Sequence, residues 1–168
     1  MSVKMVLKQK FDTDTLKRII KELPEGKMKI GWDKDQQEEN GLLTWKAAYL
    51  NEVGHNIIRD GKVIGHVVPR PFMALTAETN KNSWQQAWRR LLREYISDKK
   101  RTFRTIMNRF CQLVIEDIRH LVVDEKPFAP NYRTNKKTGK REFLNKTPLI
   151  DNGTMIAKLK YETHVTKG

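Results

Sequence analysis

Four histidines, one cysteine and a few carboxylate runs are the residues of this chain able to do acid–base, nucleophilic or metal chemistry, and their spacing decides whether they do. His55, His66, His120 and His164 fall in separate stretches, with neither an HExxH nor an HxxxH spacing. A zinc site needs several such ligands converging, and the lone cysteine adds one at most. The histidines therefore read as surface or turn residues. Cys111 sits in RFCQLVIEDI, an apolar run with helical spacing, and reads as a buried thiol. A nucleophilic cysteine would need exposure and a neighbouring base. Ser2, Ser83 and Ser97 lack a GxSxG setting, and the chain has no GxGxxG or P-loop cradle for phosphates.

The acidic residues fare no better. Asp33, Asp35, Glu38 and Glu39 lack the glycine and terminal glutamate of a calcium loop, so they read as a solvated loop. Asp124, Glu125 and Lys126 place carboxylates beside a lysine, as several metal-dependent nucleases do. Two-metal chemistry needs more carboxylates converging, and none is identifiable upstream in a matching strand. The expectation is a protein with no catalytic residue, no metal and no cofactor.

Charge is more informative. The net charge is +13, which suggests a polyanionic partner, an acidic protein partner, or a well-solvated basic surface. One basic tract holds Arg89, Arg90, Arg93, Lys99, Lys100, Arg101 and Arg104. A second holds Lys126, Arg133, Lys136, Lys137, Lys140, Arg141 and Lys146, opposed only by Glu142. Such tracts bind phosphates by counterion release, without reading sequence. Phe128, Tyr132 and Phe143 near the second tract could stack on bases, but a scatter of three is weak support for single-strand binding. A flexible solvated hairpin explains the second tract equally well.

The elements that must position these groups follow from periodicity. The chain has 168 residues, 38% hydrophobic and 32% charged, polar but with enough apolar residues for a core and of a size usual for one domain. No run of about 18 apolar residues occurs, so no membrane-spanning helix is expected, and the charged start MSVKMVLKQK does not read as a signal peptide. Alternation predicts a strand at 3–9, followed by a helix capped at Asp12 or Thr13 and ended by Pro24 and Gly26. Met28, Ile30 and Trp32 predict a second strand. Thr44 is expected to cap a short helix ending at Gly54. The Asp60–Gly61 pair between apolar runs predicts a hairpin. Pro71 suits the first turn of a long helical region with a break near 80–82, and a second helical segment carries Phe103 through Leu121. A basic hairpin turning at 137–139 and a last strand with Ala157, Leu159, Tyr161, Thr163 and Val165 on one face complete the chain. This order predicts an α+β fold, with a small mixed or antiparallel sheet packed on long helices and an extended basic hairpin.

Three stretches, AAYLNEVGHN (47–56), VPRPFM (68–73) and KTPLIDNGTM (146–155), together resemble the tail-completion or neck proteins of tailed bacteriophages, the lambda protein Z type. The resemblance spans about residues 27–165 and rests on Asn51, Glu52 and Gly54, on Pro69, Arg70, Pro71 and Phe72, and on Pro148, Leu149, Asp151 and Gly153. It implies a virion structural protein between head connector and tail, assembled as a ring with six copies as the family's symmetry. It implies as partners other copies, the head connector or adaptor, the tail terminator or tube proteins and, non-specifically, genomic DNA. It implies no membrane partner, and a location in the virion, or in the host cytoplasm during assembly. Arg133, Lys136, Lys137, Lys140, Arg141 and Lys146 would form an arm towards DNA or a neighbour. Locally, Pro69 and Pro71 fix the chain entering the helix, Phe72 anchors its start, and Arg70 points in a defined direction towards a carboxylate or stays an ordinary surface charge. A tail terminator and a stand-alone nucleic-acid-binding protein are the rival readings.

Overall fold

The structure is a computed structural model that describes residues 23–98, 100–125, 127–129, 131–134, 138, 140–145, 149 and 154–166. The strand expected at 3–9 and nearly all of the helix after it lie outside these residues. The fold is α+β, as expected. Strand β1 (Glu25–Gly31) leads to helix α1 (Thr44–Val53), then to the hairpin β2 (His55–Arg59) and β3 (Lys62–Val67). Helices α2 (Phe72–Ser97) and α3 (Phe103–His120) follow, and α3 runs into a π-helical turn at Leu121–Glu125. Strands β4 (Asn131–Thr134) and β5 (Arg141–Asn145), a helical turn α4 (Thr154–Ala157) and strand β6 (Lys160–Thr166) complete the order. Among the described residues the strands do not join in one sheet. They form three two-stranded antiparallel ribbons, β1–β6, β2–β3 and β4–β5.

Helices α2 and α3 form an antiparallel pair, because contact positions descend along one as they climb the other. The Trp84 indole N–H donates to Asp117 Oδ2 at 2.6 Å, Trp88 meets Phe110 and Phe103 edge to face, and Tyr95 meets Phe103. At the far end the Glu94 carboxylate takes Arg101 at 2.6 Å and Arg109 at 3.1 Å, tying the 98–102 connection to both helices. Thr102 caps α3 by accepting from the Thr105 N–H. The break expected near 80–82 does not occur. The Asn80 side-chain amide donates to the Thr76 carbonyl and the Ser83 hydroxyl to the Asn80 carbonyl, so these polar residues bond back to the helix instead of opening a turn.

The inner face of α3 supplies Val114, Ile115 and Ile118 to the core, joined by Phe72, Ala48, Leu121, Leu149, Met155 and Leu159. The β1–β6 ribbon lies against α3, and the Thr163 hydroxyl donates to Asn108 Oδ1 at 2.8 Å. In β6 the half-buried Tyr161, Thr163 and Val165 alternate with exposed residues, as expected. Ala157 does not share that face; it ends α4 and is exposed, since the chain is still helical there. Thr44 does not cap α1 either. The capping position is Leu43, with no side-chain bond, and Thr44 is the first helical residue, its hydroxyl buried.

Candidate functional site

The first two sequence motifs meet in one corner, where α1 ends, the hairpin leaves and returns, and α2 begins. A helix start presents four backbone N–H groups with no partner inside the helix. Helix α2 starts on Pro71, which offers no capping side chain. Proline has no N–H, so the donors to be satisfied are those of Phe72, Met73 and Ala74, and all three are taken. Phe72 N–H donates to the Arg70 carbonyl at 2.8 Å, and Leu75 N–H makes the first helical bond, to the Pro71 carbonyl at 2.7 Å. Met73 N–H donates to Glu52 Oε2 at 3.0 Å, and Ala74 N–H to Glu52 Oε1 at 2.9 Å. The carboxylate of α1 is thus the cap of α2, and its negative charge faces the positive end of the helix dipole.

Asn51 holds the chain just ahead of that start. Its carbonyl accepts the Arg70 N–H at 2.7 Å, its side-chain oxygen accepts from Arg70 Nη1 at 3.3 Å, and its amide donates to the Ala47 carbonyl at 2.9 Å. Arg70 is only 4% exposed, so it is not an ordinary surface charge, and it has contacts beyond this pair. Burial holds the Arg70 guanidinium below its usual range, because desolvation disfavours the charged form. Phe72 is fully buried, meets Trp32 edge to face, and anchors the helix start as expected. The Thr76 hydroxyl, also buried, donates to the Phe72 carbonyl at 2.6 Å.

Gly54 makes the corner possible. Its backbone is at φ 72° and ψ 165°, a region that side-chain-bearing residues avoid. A Cβ there would lie 2.6 Å from the Val67 carbonyl oxygen and 2.8 Å from the Pro69 ring. The returning strand and Pro69 therefore pass directly over the end of α1.

The third motif is described in part. Leu149 is buried in the core cluster, while Pro148, Asp151 and Gly153 lie outside the described residues. Of the basic arm, Arg133 and Arg141 fall in the paired strands β4 and β5, Lys140 is exposed, and Lys136, Lys137 and Lys146 lie outside the described residues. On α2, Arg89, Arg90 and Arg93 are exposed, as is Arg104 on α3, and none of these four makes an ion pair among the described residues.

His55 and His66 lie one register position apart on the paired strands β2 and β3, and so on opposite faces of the ribbon, while His120 and His164 belong to other elements. His55 faces the Leu50 carbonyl, His66 the Asn56 side chain, His120 Asp124 and Glu125, and His164 Glu162. Among the described residues no group of three His, Cys, Asp or Glu side chains is placed to hold a metal ion. Cys111 has no exposed surface, and burial pushes its thiol up. Sequence reasoning missed Glu52 as a cap. The available signal was a long helix starting on proline without a local Ser, Thr, Asp or Asn, which needs an acceptor from elsewhere. Compared with models of known protein families, with curated proteins and with solved structures, the chain matches none.

Proposed function

We propose that this chain is a structural protein of a tailed bacteriophage, a neck or tail-completion component that joins the head connector to the tail as one subunit of a ring. What supports the reading is the mutual dependence of the first two motifs. Asn51 accepts the Arg70 N–H, Glu52 accepts the N–H groups of Met73 and Ala74 just after Phe72, and Gly54 leaves room for Pro69, so the two short matches act as one mechanical unit and not as separate coincidences. Leu149 of the third motif is buried in the same core cluster as Ala48 and Phe72. The role proposed is structural and not enzymatic.

Deleting the chain from the phage that encodes it tests this. The expected result is filled heads and finished tails that fail to join, seen by electron microscopy, with the chain present in purified wild-type particles by mass analysis. Normally joined particles would overturn the reading. Tails of irregular length would move the chain one layer, to the tail terminator. The exposed Arg89, Arg90, Arg93 and Arg104 favour a second activity within this role, sequence-independent contact with DNA.

A further inference from the structure

Ten large hydrophobic side chains are exposed among the described residues, and eight of them lie between positions 45 and 68. Trp45, Tyr49 and Val53 recur every fourth residue and form one stripe along α1. Ile57, Ile58, Val63 and Ile64 cover the hairpin, with Val68 at its base. Successive residues of β2 point to opposite faces, so Ile57 and Ile58 make both faces of the hairpin apolar; Val63 shares the face of its register partner Ile58, and Ile64 is the extra residue of the bulge opposite them. Ile58 is 65% exposed and Val63, its register partner, 62%. Strands β2 and β3 pack chiefly on each other. A strand pair apolar on both faces belongs between two surfaces, and an isolated hairpin is marginal in water.

We infer that the β2–β3 hairpin of one copy docks along the α1 stripe of a second copy, head to tail; this deepens the ring reading above by naming the ring's interface. Three features select a second copy. First, the apolar surfaces differ in shape, an arm and a helix stripe, and one chain carries both, as a heterologous contact that closes into a ring requires. Second, the lengths match. Hairpin arms of 5 and 6 residues reach about 17–20 Å. The stripe covers about 12 Å and the loop ahead of α1 extends it.

Third, the charges are complementary. Between His55 and Val67 the only Asp, Glu, Lys or Arg residues are Arg59, Asp60 and Lys62, all at the tip. The loop at the start of α1 is acidic within a basic chain, with Asp33, Asp35, Glu38 and Glu39 against Lys34; Asp33 is paired with Lys160 and the Lys158 ammonium donates to the Gln37 carbonyl, which leaves Asp35, Glu38 and Glu39 as its acidic excess. It is held beside the helix by the Thr44 N–H donating to the Gln36 carbonyl at 2.8 Å and by a Gln37–Leu43 bridge. Asp35 and Glu39 are exposed. A hairpin laid on the stripe with its base at Val53 brings its basic tip to this acidic loop.

Sedimentation velocity on the full chain tests the inference. Wild type should self-associate. An Ile58→Glu/Ile64→Glu hairpin variant and a Tyr49→Glu/Val53→Glu stripe variant should each weaken association at least tenfold, with helical circular dichroism unchanged. An equimolar mixture of the two should form a dimer and stop there, because one intact hairpin still meets one intact stripe. As a check independent of charge substitutions, Tyr49→Cys and Ile64→Cys chains with different tags should cross-link to each other under mild oxidation. A monomeric wild type, variants that associate normally, a mixture that fails to pair, or absent cross-links would each overturn the interface. So would a hairpin variant that keeps self-association but loses binding to another virion protein. A chain that associates through its hairpin but is missing from particles would leave the interface standing and remove the neck role.

Discussion

Replacing Glu52 by alanine removes the one side-chain acceptor at the start of α2 among the described residues. Two backbone N–H groups, those of Met73 and Ala74, lose a carboxylate at 3.0 and 2.9 Å. A charge-assisted hydrogen bond contributes roughly 1.5–3 kcal/mol when its donor is then left dry. Ala74 is exposed, so water replaces most of its bond, while Met73 is half-buried and loses more. Loss of a cap costs about 0.5–2 kcal/mol, and loss of the charge at the helix dipole about 0.3–1 kcal/mol. These overlapping terms place Glu52→Ala at about 2 kcal/mol of lost stability. For a chain of this size that lowers the melting temperature by about 4–8 °C. Glu52→Gln keeps one acceptor oxygen and no charge, and should lose about half as much. Urea unfolding followed by circular dichroism gives the global value. Hydrogen exchange gives the local one: the Met73 and Ala74 amides should exchange faster in Glu52→Ala while the middle of α3 does not. A stability within about 0.5 kcal/mol of wild type, with those two amides unchanged, would refute the remote cap.

Three further outcomes follow from geometry. Gly54→Ala should cost about 2–4 kcal/mol by urea midpoint, combining a strained backbone with overlap against the Val67 carbonyl and Pro69; Gly61→Ala, also at φ 72° but facing open space, should cost about 1–2 kcal/mol. The Lys100 N–H and the Arg101 guanidinium hold the Asp98 carboxyl below its usual range, so its contribution is fully present above the ordinary aspartate pKa and disappears as pH falls through the lowered one. The stability difference between wild type and Asp98→Asn should therefore vanish in acid, and a difference that grows there would contradict the assignment. If DNA meets the exposed face of α2, replacing Arg89, Arg90 and Arg93 by alanine should reduce the slope of log affinity against log salt by up to about 3, equally for any sequence, with circular dichroism unchanged.

What the sequence disclosed, and what it hid, divides by the range of the interactions. The β2–β3 hairpin was legible because Asp60 and Gly61 both adopt positive φ, a local demand that an Asp-Gly pair meets. Helix α1 was legible to its last residue because Gly54 alone suits the conformation after it. The continuity of α2 through Asn80 was not, since the sequence shows polar residues but not that their side chains fold back on the helix. The pairing of β1 with β6 joins Glu25 to Thr166, a contact no local pattern encodes. At the candidate site, Phe72 as anchor and Gly54 as corner could be read directly. The roles of Glu52 and Asn51 were hidden because their partners lie about twenty residues away, across the hairpin. Thr44 has the residue type of a cap, but packing turned its hydroxyl inward.

The grip of Glu52 on α2 has a mechanical consequence. A helix of 26 residues is a rod about 39 Å long, and it is clamped to α1 at one end only a few residues from the root of the hairpin. The far end of that rod is fastened too, by the Glu94–Arg101–Arg109 knot, and Trp84, Trp88 and Tyr95 seat its length on α3. A load arriving at the root of the hairpin would therefore be shared by both long helices as one strut and not bent out at a joint.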